Sequence, residues 1–82
     1  MEYRIELKKK AIKDLKAIPF EDRTRTIEKI EQLSDNLKGD VKKLTNFSPE
    51  YRLRCGNWRV LFEIEADNII VYRVLHRRES YR

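Results

Sequence analysis

From Tyr51 to Cys55 apolar and basic residues alternate, with Tyr51, Leu53 and Cys55 set against Arg52 and Arg54, the period of a half-buried strand. Gly56-Asn57 has the composition of a tight two-residue hairpin turn, and beyond it Trp58, Val60, Phe62 and Ile64 alternate with Arg59, Leu61, Glu63 and Glu65. A third strand from Ile69 to His76 completes a meander. A three-residue loop from Ala66 to Asn68 sets Val60 against Val74, Phe62 against Tyr72 and Ile64 against Ile70, apolar against apolar. Near the start of the chain, Tyr3, Ile5 and Leu7 alternate with Arg4 and Glu6 as a short first strand. The period then lengthens. Ala11, Ile12, Leu15 and Ile18 share one side of a helix that Pro19 ends, and Ile27, Ile30, Leu33 and Leu37 share one side of a second helix stopped near Gly39. The stretch from Val41 to Glu50, with its Ser48-Pro49 step, reads as loop.

The order β-α-α-β-β-β predicts an α+β fold in which a helical hairpin packs on one face of a small, mainly antiparallel sheet. The first strand is expected to pair in parallel with the third strand of the meander. Residues 1–82 are read as a single domain, and a chain of this size buries only about 60–65% of its unfolded surface, so its core is thin.

The register has a chemical consequence. A two-residue turn places Arg54 directly opposite Arg59, and like charges so placed cost about 0.2–1 kcal/mol, a placement that calls for an anionic ligand or partner. Arg52, Arg73 and Arg77 share that face, Tyr81 lies a few residues beyond, and Leu61, Val71 and Leu75 leave the face partly apolar. Lys42, Lys43 and Arg78 extend the basic surface. Against 14 Asp and Glu stand 19 Lys and Arg, giving a formal charge of +5 and a pI near 9.5, a balance suited to nucleic acid, an anionic membrane surface or an acidic protein. No segment approaches the roughly 18 apolar residues of a membrane span. The charged start is unlike a signal peptide, and the one cysteine, Cys55, suits a reducing cytoplasm. With one histidine, His76, no clustered ligand spacing and two glycines, neither a metal site nor a phosphate-binding glycine loop is expected, and no cofactor is predicted. An array of arginines can hold a phosphodiester and stabilise a developing oxyanion. Arginine stays protonated, so any proton transfer falls to Tyr81, His76 or the substrate's surroundings. Trp58 alternates with the inward set and is expected in the core.

Three segments carry a family resemblance: Tyr51-Arg52-Leu53-Arg54, then Asn57-Trp58-Arg59-Val60-Leu61-Phe62, then Val74-Leu75-His76-Arg77-Arg78-Glu79-Ser80-Tyr81-Arg82. With the element order, they resemble the RelE branch of the RelE/ParE toxin superfamily over essentially the whole chain. The resemblance implies a bacterial or archaeal toxin of a type II toxin–antitoxin pair, a ribosome-dependent endoribonuclease that cuts messenger RNA, with a RelB-like antitoxin as partner. It implies that Arg52, Arg54, Arg59, Arg77 and Tyr81 form the site. Tyr81 would stack on the nucleotide, Arg59 hold the phosphate, Arg77 stabilise the leaving group, and Arg54 with Arg52 offset charge at the nucleophile. Arginine stands here at the first two positions, where lysine is familiar. The ParE branch, which acts on DNA gyrase, and an RNA-binding module without chemistry are the competing readings.

Overall fold

The apolar sides of two helices and of a twisted sheet meet in one core, and the breaks between elements follow from local chemistry. The computed structural model describes residues 2–46 and 48–79. The elements are β1 (Arg4–Leu7), α1 (Lys9–Ala17), α2 (Phe20–Gln32), β2 (Asp40–Lys43), β3 (Tyr51–Cys55), β4 (Trp58–Glu65) and β5 (Asn68–His76). Five strands lie in the order β1-β5-β4-β3-β2, and β1 runs parallel to β5 as expected.

Ile18 precedes Pro19, whose ring disfavours the helical conformation before it; Ile18 is extended at ψ 140°, and the chain turns directly into α2. Glu21 and Asp22 in the first turn of α2 and Lys29 in its last complement the helix dipole. The inward stripe of α2 differs from the expected one. Thr26 and Leu33 are fully buried and Ile30 nearly so, whereas Ile27 is 37% exposed. The helix also stops at Gln32, short of Gly39, because Asn36 and Leu37 adopt left-handed φ values of 55° and 58°. There the Tyr3 N–H donates to the Ser34 carbonyl at 2.9 Å, tying the end of the hairpin to the start of β1. Gly39 has φ +128°, and a Cβ there would stand 2.9 Å from Leu53 Cδ1, so both backbone conformation and space demand glycine.

Between β3 and β4 the register is the expected one: Cys55 faces Trp58 and Arg54 faces Arg59. Between β4 and β5 it differs near the turn. Ala66 and Asp67 form a two-residue connection with Ala66 at φ 52°, so that Ile64 faces Ile69 and Phe62 faces Val71, not Tyr72. A bulge at Leu61/Phe62 then takes up Tyr72 as an extra residue and restores the expected pairing of Val60 with Val74. The bulge lets Ile69, Val71 and Val74 all reach the core without inverting the far half of β5. The segment read as loop also carries a strand, β2, antiparallel to β3, with Val41 against Leu53 and Lys42 against Arg52.

The helix-facing core joins Ala11, Leu15, Ile18, Ile30 and Leu33 to Leu53, Val60, Phe62, Ile69, Val71 and Val74. Tyr51 stacks on Phe62 with ring centroids 5.5 Å apart. Cys55 is a buried free thiol, its Sγ 3.7 Å from Thr26 Oγ1. Among the described residues no helix is long and apolar enough to cross a membrane. The hairpin covers one face of the sheet and leaves the other to the basic side chains.

Candidate nucleic-acid interface

Strand alternation fixes the uncovered face as rows of side chains. One row crosses the sheet as Asp40, Arg54, Arg59 and Leu75, and the next as Lys42, Arg52, Leu61 and Arg73. Asp40 is a member that the sequence reading missed, because its strand was not expected. It flanks Arg54 on the side away from Arg59 and offsets part of the repulsion in the arginine pair.

Arg59 is 4% exposed, an unusual depth for a guanidinium. Its Nη1 donates to the carbonyls of Gly56, at 3.1 Å, and Trp58, at 3.2 Å. The turn that places Arg59 opposite Arg54 therefore also orients it. Arg52 is half-buried, and its Nη1 is buried without an acceptor among the described residues. A buried charged donor left so costs more than about 1–3 kcal/mol, and an anionic oxygen beside it would relieve that cost. Arg54 is exposed. Arg77 is exposed just past β5, its N–H donating to the Asn57 carbonyl at 2.7 Å, which brings it to the same hairpin end as Arg59. Arg78 is exposed and its N–H donates to His76 Nδ1 at 3.3 Å. Tyr81 lies outside the described residues. Lys42 joins the row of Arg52, while Lys43, one residue on, alternates to the other side and lines a hollow beside Leu44, Thr45 and Glu50.

Arg73 lies on the expected face, but its guanidinium reaches around the sheet edge to α1. Its Nε donates to Asp14 Oδ2 at 2.8 Å and its Nη2 to Oδ1 at 3.2 Å, while the Val74 N–H donates to Oδ2 at 3.0 Å. These bonds to Asp14 hold the Arg73 guanidinium above its ordinary range, against the opposing effect of burial. The neighbouring Tyr72 hydroxyl is pushed up by burial and by the carboxylates of Glu63 and Glu65. The signal for Asp14 was its isolation: it is the one acid in a helix otherwise apolar or basic. Asp14→Ala removes the acceptor for two side-chain donors and a strand N–H. The expected loss is about 1–2 kcal/mol in urea unfolding, at the low end because the Arg73 side chain is 39% exposed. Asp14→Asn should recover part of it.

Two candidates turn away from this face. The Trp58 indole packs at right angles against His76, centroids 5.2 Å apart, and its Nε1 donates to Asp22 on α2 at 3.2 Å. Trp58, expected in the core, is half-buried against it on the inward side and links the layers, and His76 shares the helix side. Trp58→Phe keeps the ring and loses the bond, for an expected cost of about 1 kcal/mol by thermal melting. Among the described residues no group of three or more His, Cys, Asp and Glu could hold a metal ion.

Residues 5–81 match the profile for the ParE toxin of the type II toxin–antitoxin system parDE. Toxin RelE3 of Methanocaldococcus jannaschii is 40% identical over 75 residues, 85% of this chain and 85% of the relative. The crystal structure of the RelB-RelE antitoxin–toxin complex from Methanococcus jannaschii superposes with a TM-score of 0.77 at 39% identity, over 93% of this chain and 94% of the matched one. The archaeal RelE-RelB complex from Pyrococcus horikoshii OT3 gives 0.76 at 26% identity, over 96% and 99%. Fold and sequence together define a small toxin of a type II toxin–antitoxin system. The chain belongs to the ParE toxin family, as a RelE-type member.

Proposed function

We propose that this toxin is an endoribonuclease that needs no metal, acts on messenger RNA engaged with the ribosome, and so stops translation in the cytoplasm. The observation that carries the reading is the buried Arg59 guanidinium, oriented by its own turn and set directly against Arg54. A fixed cation costs no reorganisation when charge develops on a phosphate.

In the proposed reaction the 2′-oxygen attacks the adjacent phosphorus as its proton leaves, and the bond to the 5′-oxygen breaks. The products are a 2′,3′-cyclic phosphate and a 5′-hydroxyl that takes up a proton. Arg59 holds the phosphate, Arg54 and Arg52 stabilise negative charge at the nucleophile, Arg77 stabilises the leaving oxygen, and Tyr81 stacks on the nucleotide. Lys42, Arg73 and Arg78 attract the flanking phosphate chain, and Lys43, turned to the other side, adds only to the overall positive field. His76 faces the helices, and Arg52 and Arg54 cannot give up protons as lysines can, so proton transfer falls to Tyr81 or the surroundings of the bound RNA. Relatives crystallised with RelB support a RelB-like antitoxin as partner, and a basic toxin suits electrostatic steering of an acidic segment.

The test is primer extension on messenger RNA in a cell-free translation reaction, comparing the protein with Arg59→Ala and Tyr81→Ala. Cuts within translated codons that vanish in both variants support the reading; intact message with normal translation overturns it. The description of the matching profile favours a second reading, inhibition of DNA gyrase as in the ParE branch. A supercoiling assay on purified gyrase separates the two.

A further inference from the structure

Lys8, Lys9, Lys10, Lys13 and Lys16 crowd the start and length of α1, with no acid in its first turn. Asp14, the helix's one carboxylate, is already engaged by Arg73 and the Val74 N–H and does little to neutralise them. At the foot of these lysines lies a groove of about 630 Å³ walled by Lys8, Lys9, Lys10, Pro49, Tyr72 and Arg73. A second hollow of about 470 Å³ shares Lys10 and Arg73 and adds Lys13.

Position ties this groove to the arginine face. Arg73 is in the row of Leu61, Arg52 and Lys42, and with strands about 4.8 Å apart Arg52 and Arg73 are separated by roughly 10 Å. Strand β1 pairs with β5 only as far as Val71, so beyond that point α1, not another strand, borders the sheet. The carboxylates of Glu63, Glu65 and Glu6 act on the Tyr72 hydroxyl and oppose a polyanion at that wall, while the Lys8 ammonium stands 5.8 Å from the Tyr72 ring centre and favours one.

We propose that the RNA strand flanking the scissile step leaves the arginine face at Arg73, crosses the edge of β5 and is held by its phosphates along the groove of Lys8, Lys9, Lys10 and Lys13. This rests on the reading of the arginine face as an RNA site. The exposed Phe20 and Ile27 of the hairpin are not among these walls, whose apolar members are Pro49 and Tyr72. The cations beside them carry the charge complementarity to a phosphate chain, whose contacts position the strand without reading its sequence.

The test uses the full chain and its triple variant Lys9→Gln, Lys10→Gln, Lys13→Gln, with circular dichroism to verify folding. Fluorescence anisotropy is followed over a salt series with labelled single-stranded RNAs of 6 and 20 nucleotides. The native chain should bind the longer RNA with a steeper dependence of log K on log salt. The variant should lose roughly 2 units of that slope, about 0.7 per phosphate contact, while binding the short RNA unchanged. An unaltered slope on the longer RNA overturns the proposal, as does a native chain that gains nothing from length. A variant that weakens binding of a polyglutamate peptide but not of RNA overturns it in favour of an acidic protein partner. If neither protein binds the short RNA, the arginine-face reading fails instead, and the slope on the longer RNA still decides the groove.

Discussion

Replacing Arg59 with alanine is expected to lower the rate of messenger RNA cleavage by about 10²–10³-fold, the range for removing one fixed donor from a developing oxyanion, or about 2.7–4 kcal/mol of barrier. The size follows from its setting. Arg59 is 4% exposed and the carbonyls of Gly56 and Trp58 hold its Nη1, so its field acts on a bound phosphate with little screening by water. Because the same bonds brace the Gly56-Asn57 turn, the variant should also lose about 1 kcal/mol of stability, and activity is best compared well below its melting temperature. Arg59→Lys is the informative companion. It keeps the charge but not the Nη1 that donates to both carbonyls, so a lysine variant with full activity would show that charge alone suffices and that the turn's orientation of Arg59 is incidental. An alanine variant within threefold of the native rate would remove Arg59 from the site.

Phe62→Ala carries the largest expected effect on folding, a loss of about 3–5 kcal/mol in urea unfolding followed by far-ultraviolet circular dichroism. Phe62 is fully buried, heads the largest buried side chains, stacks on Tyr51 and faces Val71 across the sheet. The helices and the sheet both contribute walls to its surroundings, and five paired strands leave little room for collapse around the cavity. For a chain of this length total stability is roughly 4–12 kcal/mol, so the variant should be largely unfolded or melt far lower than the native chain. Phe62→Leu, which fills most of the volume, should recover more than half of the loss. A loss below about 1 kcal/mol for alanine would place the centre of the core elsewhere.

The competing readings make different demands on the same residues. Gyrase inhibition has no need of a buried cation beside Arg54, and a passive RNA-binding module does not need one arginine oriented by its own turn. Their discriminating observations are supercoiling in the first case and binding without product in the second. The lysine groove adds an independent handle, since neutralising it should change salt dependence while the scissile-step residues stay intact.

Much of this protein is written in short-range pattern. Alternation from Tyr51 to Glu65 determined the β3–β4 register, and with it the Arg54–Arg59 pair, because side-chain direction in a strand has a period of two and the turn between is short. Pro19 determined the break between helices for an equally local reason. What depends on how elements end and meet was not legible. Strand β2 has one apolar residue, Val41, among Asp40, Lys42 and Lys43, and becomes a strand only because β3 offers it a ladder. The bulge at Tyr72 exists because both halves of β5 must present apolar residues to one core, a constraint the turn composition does not carry. Thr26 lies inside, its Oγ1 3.7 Å from Cys55 Sγ, and Ile27 outside, because the rotation of the helix is set by all that packs against it, Ile30 and Leu33 in the core included. The bond of Arg73 to Asp14 joins residues 59 apart, and only the early end of β1 leaves α1 beside β5 to make it. Within β3 and β4 sequence alone determined which side chains share a face, since that is a property of the strand itself; in β5 the bulge moved Val71 from the expected arginine face into the core. The depth of Arg59, the company of Asp40 and the reach of the lysine groove were decided by tertiary structure, since burial and charge pairing depend on what the rest of the chain sets beside each residue.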